Sequence, residues 1–94
     1  MDLDVQRDDA RHLYIAQVDG EQAMIAYREA DPDTLDFQHT EVAKPLQGKG
    51  VGDELVRQAL DDVRERGLKV IPTCPFVAAY IRRHGEYGDL VAGR

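Results

Sequence analysis

A chain of 94 residues with 43% hydrophobic and 32% charged side chains has the makings of a single domain over 1–94, since it can bury roughly 60–65% of the surface its unfolded form exposes, enough for one core and one cleft. Eighteen acidic against twelve basic side chains, a formal charge of −6, repel a polyphosphate backbone and exclude a general nucleic-acid grip, whereas a cationic partner is easily accommodated. One cysteine, Cys74, excludes an intrachain disulfide and a four-cysteine zinc site and points to a reducing compartment, and no apolar run approaches the roughly 20 residues of a membrane span.

The opening MDLDVQRDDARH is acidic and lacks the apolar stretch of a signal peptide, so a cytoplasmic location is expected. Residues 12–18 (HLYIAQV) and 22–28 (QAMIAYR) are short apolar-rich segments separated by Asp19-Gly20-Glu21. An Asp-Gly turn between two such segments is a hairpin signal. Asp31-Pro32-Asp33 makes a second turn, and residues 34–42 (TLDFQHTEV) continue as a third strand with Leu35 and Phe37 on one side and Asp36 and Gln38 on the other. A three-strand antiparallel meander is expected.

Pro45 then breaks the ladder, and Gln47-Gly48-Lys49-Gly50-Val51-Gly52 follows at once. Val51, Leu55, Val56, Ala59, Leu60 and Val63 fall on one stripe of a helix running to about Arg66, with Gly67 as its stop. Residues 68–73 (LKVIPT) read as a fourth strand with Pro72 close to its end. Thr73-Cys74-Pro75 resembles a helix start, because proline is tolerated at the first helical position. Phe76, Val77, Tyr80, Ile81 and His84 share a face of that last helix. The fold class is α/β: a mixed sheet in which an antiparallel meander is followed by β-α-β-α.

The segment Gln47 to Gly52 places three glycines at alternate positions directly before an amphipathic helix. Glycine lets backbone N–H groups turn toward an anion, and the helix N-terminus adds favourable dipole charge, so a diphosphate suits the segment; a flexible strand-to-helix turn reads equally well. Neither phosphate-loop pattern is met: Gly50 stands after Lys49 where a P-loop needs Ser or Thr, and the dinucleotide fingerprint lacks its third glycine.

Those residues carry a resemblance. Gln47-Gly48-Lys49-Gly50-Val51-Gly52 is similar to the Gln/Arg-x-x-Gly-x-Gly/Ala acyl-CoA loop of the GNAT acetyltransferase superfamily. With HTEV before it, one long helix after it and VIPTCPFVAAYIRRHGEY beyond, residues 12 to 91 resemble the small, stand-alone GNAT-like N-acetyltransferases. The resemblance implies acetyl-CoA (coenzyme A) as cofactor. Its pantetheine arm would lie along the third predicted strand, its pyrophosphate on the amides of Gly48 to Gly52, and its thioester near the end of the fourth strand. Gly85 stands after His84 where the family usually has proline, which marks a different C-terminal loop.

Within that frame Cys74 is either a small buried hydrophobe or a thiol at a helix N-cap, where the dipole favours the thiolate. It could accept an acetyl from the thioester, or position and protonate the departing CoA thiolate. His39 shares parity with Leu35 and Phe37, so without a bulge it points to the core side; an imidazole suits removal of a proton from an amine at neutral pH. Glu41 is the substitute base. Tyr80 is a hydroxyl donor to the thiolate or a core aromatic. Lys49, Arg82 and Arg83 are candidates for the 3′-phosphate, and a strand N–H near Val42 for the oxyanion. The histidines and Cys74 do not make metal-ligand spacing. The chain is expected to be an acetyl-CoA-dependent N-acetyltransferase acting on a cationic primary amine, of a small molecule or a protein, through an acceptor site that is open or completed by a partner. The rival is a non-catalytic acyl-CoA-binding or interaction module.

Overall fold

The computed structural model describes residues 3–93; residues 1, 2 and 94, at the ends of the single domain expected over 1–94, lie outside the described residues. Five strands form one sheet in sequence order: β1 (Val5–Asp8), β2 (Leu13–Val18), β3 (Glu21–Asp31), β4 (Thr34–Val42) and β5 (Lys69–Ile71). The first four make an antiparallel meander and β5 joins β4 in parallel. The crossover between them is α1 (Val51–Glu65), preceded by a 3-10 turn at Lys44–Leu46. After β5 come α2 (Pro75–Arg83) and a second 3-10 segment, Gly85–Leu90. The expected α/β class and strand-helix order therefore stand, with a meander one strand longer.

Local chemistry accounts for most of these boundaries. Asp19 and Gly20 both have positive φ (51° and 80°), as a two-residue hairpin loop matching the strand twist requires. The helix α1 carries Leu55, Val56, Ala59, Leu60 and Val63 into full burial and ends at Gly67, whose φ of 69° lets the Gly67 and Leu68 amides turn back to Arg64 and Val63. Strand β5 spans only Lys69–Ile71 instead of the expected 68–73, because Pro72 has no N–H to continue the ladder. The missed strand, β1, is four residues of VQRD on the sheet edge, without the alternation that marks a half-buried strand.

All the buried apolar side chains belong to one cluster that joins one face of the sheet to α1 and α2, from Tyr14, Ile25, Tyr27 and Phe37 on the strands to Leu60 and Val77 on the helices. At the edge of that core, Asp62 of α1 accepts hydrogen bonds from the Tyr14 hydroxyl at 2.6 Å and from Arg7 at 2.9 Å, tying β1 and β2 to the helix. Burial raises the Asp62 pKa, but the bonds from Tyr14 and Arg7 outweigh it and hold the carboxyl below its ordinary value of 3.8. The same arrangement, led by burial, pushes the Tyr14 hydroxyl well above the usual tyrosine range.

Because folding favours the ionised Asp62, its contribution is whole at neutral pH and is lost as pH falls through 3.8 toward the lower folded value. Asp62→Ala, which leaves the Tyr14 hydroxyl without its acceptor, is expected to cost about 1–3 kcal/mol at pH 7, or roughly 4–8 °C of melting temperature per kcal/mol. Melts of both proteins from pH 7 down to pH 3 check this: the gap should narrow in acid.

Candidate active site

Strand β4 is longer than its parallel partner. Pairing ends at Asp36–Ile71, one more bond runs from the Cys74 N–H to the Phe37 carbonyl at 2.8 Å, and then the backbones part. The turn that carries β5 away is held by Thr73, whose hydroxyl donates to the buried Asp36 carboxylate. Beyond Phe37, one edge of β4 has no partner strand. On its other edge the Ala43 N–H donates to Gln22 O at 2.9 Å, which makes Val42–Ala23 and Thr40–Ile25 the non-hydrogen-bonded pairs of the ladder. The N–H and C=O groups of Thr40 and Val42 therefore face the gap.

The second wall is the loop leading into α1. Gln47 Nε2 donates to Val42 O at 2.9 Å and fastens the loop to the end of β4. Gly48 and Gly50 have φ of 78° and 79°, left-handed values that side chains resist, and Gly50 is the N-cap of α1. The first intrahelical bond at this end is Glu54 N–H to Gly50 O, so the amides of Val51, Gly52 and Asp53 have no carbonyl to reach within the helix. Gly52 is small for a different reason: a Cβ there would lie 2.8 Å from the Phe76 ring and 3.3 Å from Val42 Cγ2.

Between the two walls lies a cleft of about 480 Å³, lined by Thr40, Val42, Leu46, the loop and first turn of α1, and Phe76. It opens at the carboxyl ends of the parallel pair and at the N-termini of α1 and α2, the place where open α/β sheets take ligands. Phe76 is 39% exposed although its neighbours Val77, Tyr80 and Ile81 are buried, so it departs from the face it was expected to share and serves the cleft instead.

Cys74 is the N-cap of α2, 5% exposed, with its Sγ hydrogen-bonded to Thr40 Oγ1 at 3.3 Å. It stands behind Thr40 rather than in the cleft lining. The histidine is a correction. A bulge falls where the register steps from Ala26↔His39 to Tyr27↔Phe37, with Gln38 as the additional residue, and it reverses the alternation of β4. Thr40 thereby takes the face of Phe37. His39 and Glu41 turn to the opposite face, where their side chains are 61% and 63% exposed and His39 Nε2 lies 3.5 Å from Glu41 Oε1. The last two strand residues before the loop thus serve both faces: Val42 the cleft, Glu41 the far side.

Tyr80 is also corrected. It does not line the cleft; its ring is buried one turn further along α2, stacked on His84 at 4.0 Å, and burial raises its hydroxyl pKa. Arg83 reaches the first turn of α1, 3.3 Å from Asp53, while Lys49 and Arg82 are exposed. Among the described residues, seven arginines pair with carboxylates, whereas Lys44 just before the glycine loop and Lys49 within it pair with none. Sequence reading missed Thr40, Leu46, Asp53 and Phe76. Thr40 was readable only through the bulge.

Comparison with known proteins decides what this architecture is. A family model described as GCN5-related N-acetyl-transferase matches residues 13–90. The chain belongs to the GCN5-related N-acetyltransferase family. The protein NATD1 of Xenopus tropicalis is 30% identical over 82 residues, 85% of this chain and 75% of its own length, and human NATD1 is 30% identical over 82 residues, 85% and 73%. The solution structure of a GCN5-like protein from Staphylococcus aureus superposes with a TM-score of 0.74 at 27% identity, covering 98% of this chain and 90% of that one. Coenzyme A, the cofactor of GCN5-related enzymes, fits the residues present. The free amides from Val51 to Asp53 and the unpaired cations suit its phosphates, and the open edge of β4 suits an amide-bearing arm.

Gly52→Ala tests the narrow contact in this cleft. The added methyl pushes against a partly exposed ring, while alanine raises helix propensity, so the melting temperature should stay within a few degrees. Coenzyme A affinity by calorimetry should fall at least tenfold, and Phe76→Ala in the same chain should restore part of it.

Proposed function

We propose that this GCN5-related protein binds acetyl-CoA in the cleft between β4 and β5 and catalyses transfer of the acetyl group to a primary amine. The observation that carries the reading is the convergence on one cleft of the amide-rich start of α1 and an unpaired edge of β4, with Cys74 and His39 on either side of that edge. Acetyl-CoA supplies the activated acyl group as a thioester. The amides of Gly48 to Asp53, with Lys49 and Arg83 nearby, hold the phosphates. The N–H groups of Thr40 and Val42 orient the acyl arm, and that of Val42 also receives negative charge developing on the carbonyl oxygen.

The bulge divides the labour. Because the α1 loop and the cleft lie on the helix side of β4, the amine approaches through the splay from the bare side, where His39 takes its proton and Glu41 holds the imidazole. Cys74, buried behind the cleft lining and bonded to Thr40, would serve the acyl centre through that contact. The acceptor is cationic in keeping with the chain's net charge. With Tyr80 buried away from the cleft, the acid for the leaving thiolate comes from Cys74 or from water.

Acetyl-CoA at 100 times its dissociation constant should stabilise the fold by about 2.7 kcal/mol, visible as a melting shift, and Gly50→Asp, which sets a carboxylate among the phosphate-binding amides, should abolish that shift. No shift in the unaltered protein would refute the reading. His39→Ala should lower turnover about 10²-fold or more while leaving the shift intact. Mass spectrometry after incubation assigns Cys74: an acetyl adduct lost in Cys74→Ser marks an acyl-enzyme, and turnover without one marks direct transfer.

A further inference from the structure

The sheet has a second face, and its apolar side chains do not belong to the core. Ile15, Met24 and Glu41 follow one another across β2, β3 and β4 in one row, and Leu13, Ala26 and His39 in the next. Leu13, Ile15, Met24 and Ala26 are half-buried and stand outside the cluster that joins sheet and helices, whereas every strand residue of that cluster has the other orientation. Both helices pack on the core side. Among the described residues no helix covers the apolar strip, and it runs directly into the His39–Glu41 pair beside the splay of β4 and β5.

We infer that this face seats the acceptor, and that the acceptor is the amino terminus of a peptide carrying an apolar side chain about three residues in; the inference rests on the acetyl-transfer reading above. Three observations select that occupant. Charge is the first: Arg11 is engaged by Asp8 and Arg28 by Asp36, which leaves Glu41 as the carboxylate beside His39 and favours an ammonium group there. Shape is the second. Small-molecule sites are concave, while this surface is an open sheet with a depression of about 310 Å³ over Ile15, flanked by Gln6, Gln17 and Gln22 and by Asp4 and Arg11 at its rim.

Reach is the third observation. Ile15 and Glu41 are two strands apart, about 10 Å at the usual strand spacing, and three extended residues span about the same distance. An amine at His39 and Glu41 therefore sets the fourth side chain of a peptide over Ile15, with the glutamine amides placed to meet its backbone. A peptide α-amine, with an ordinary pKa of about 7.7–8.0, is also closer than lysine at about 10.4 to what a histidine base deprotonates.

Fluorescence anisotropy on the full chain tests this without depending on turnover, using hexapeptides labelled at the C-terminus. One has a free amino terminus and leucine at its fourth position, one has serine there, and one is blocked at its terminus but carries a lysine. The leucine peptide should bind at least tenfold more tightly than either of the others. Ile15→Gln and Met24→Gln should each remove most of that advantage and leave the acetyl-CoA melting shift unchanged. Equal binding of the three peptides, or indifference to both substitutions, overturns the inference. So does a homodimer by sedimentation that Ile15→Gln dissolves, because a second copy then owns the face. Selective peptide binding without acetylation leaves this assignment standing and sinks the catalytic reading; acetylation of all three at one rate does the reverse.

Discussion

Strands β4 and β5 share three residue pairs and one further bond, from Cys74 N–H to Phe37 O, before their backbones separate. Everything at the candidate site depends on where that separation falls. Proline at 72 cannot extend the ladder, Thr73 is anchored to the buried Asp36, and Pro75 starts a helix, so β5 has to leave the sheet while β4 runs on to Val42. The consequence is a strand edge without a partner strand inside a folded domain, which ordinarily has to be covered, paired or wetted. Here it becomes the wall of a cleft whose other wall is a helix N-terminus with unsatisfied amides. Two local deficits of hydrogen bonding face one space, a natural setting for a ligand rich in acceptors and amides.

The bulge at Gln38 adds the second dimension. Without it, His39 would share the face of Phe37 and crowd the core beside α1, and Thr40 would lie outside. With it, Thr40 reaches Cys74 on the helix side while His39 and Glu41 reach solvent on the other. A single additional residue thus lets one strand present a thiol partner to one face and an imidazole to the other. In the proposed chemistry, donor and acceptor then arrive from opposite sides of the same strand and meet at its open edge. In that proposal the far face of the sheet, beside His39 and Glu41, seats the acceptor.

The sequence was informative where chemistry is local. Asp19-Gly20 announced the hairpin, the Val51-to-Val63 stripe announced α1, and the glycines of residues 48–52 announced the loop before it, whose left-handed angles and tight contact with Phe76 only the fold shows. The family resemblance carried by that loop was equally legible, and residues 13–90 match the family model. What could not be read depends on pairing between distant segments. A bulge arises because β3 and β4 must both reconcile their hydrophobic faces, and neither strand shows it alone; parity counted along residues 34–42 therefore sent His39 to the wrong side. Tyr80 and Phe76 were assigned one face by helical spacing, yet which of them meets the cleft depends on how α2 lies against Gly52. Strand β1 escaped notice because an edge strand needs few apolar residues.

The most direct test is an amide NMR titration of the full chain with coenzyme A. Binding in the splay requires that the backbone signals of Thr40, Val42 and residues 48–53 shift together and saturate at one concentration, while those of Ile15 and Met24 on the far face stay in place. Saturable shifts centred elsewhere, or none at millimolar ligand, would contradict the assignment of the β4–β5 splay as the acyl-CoA site.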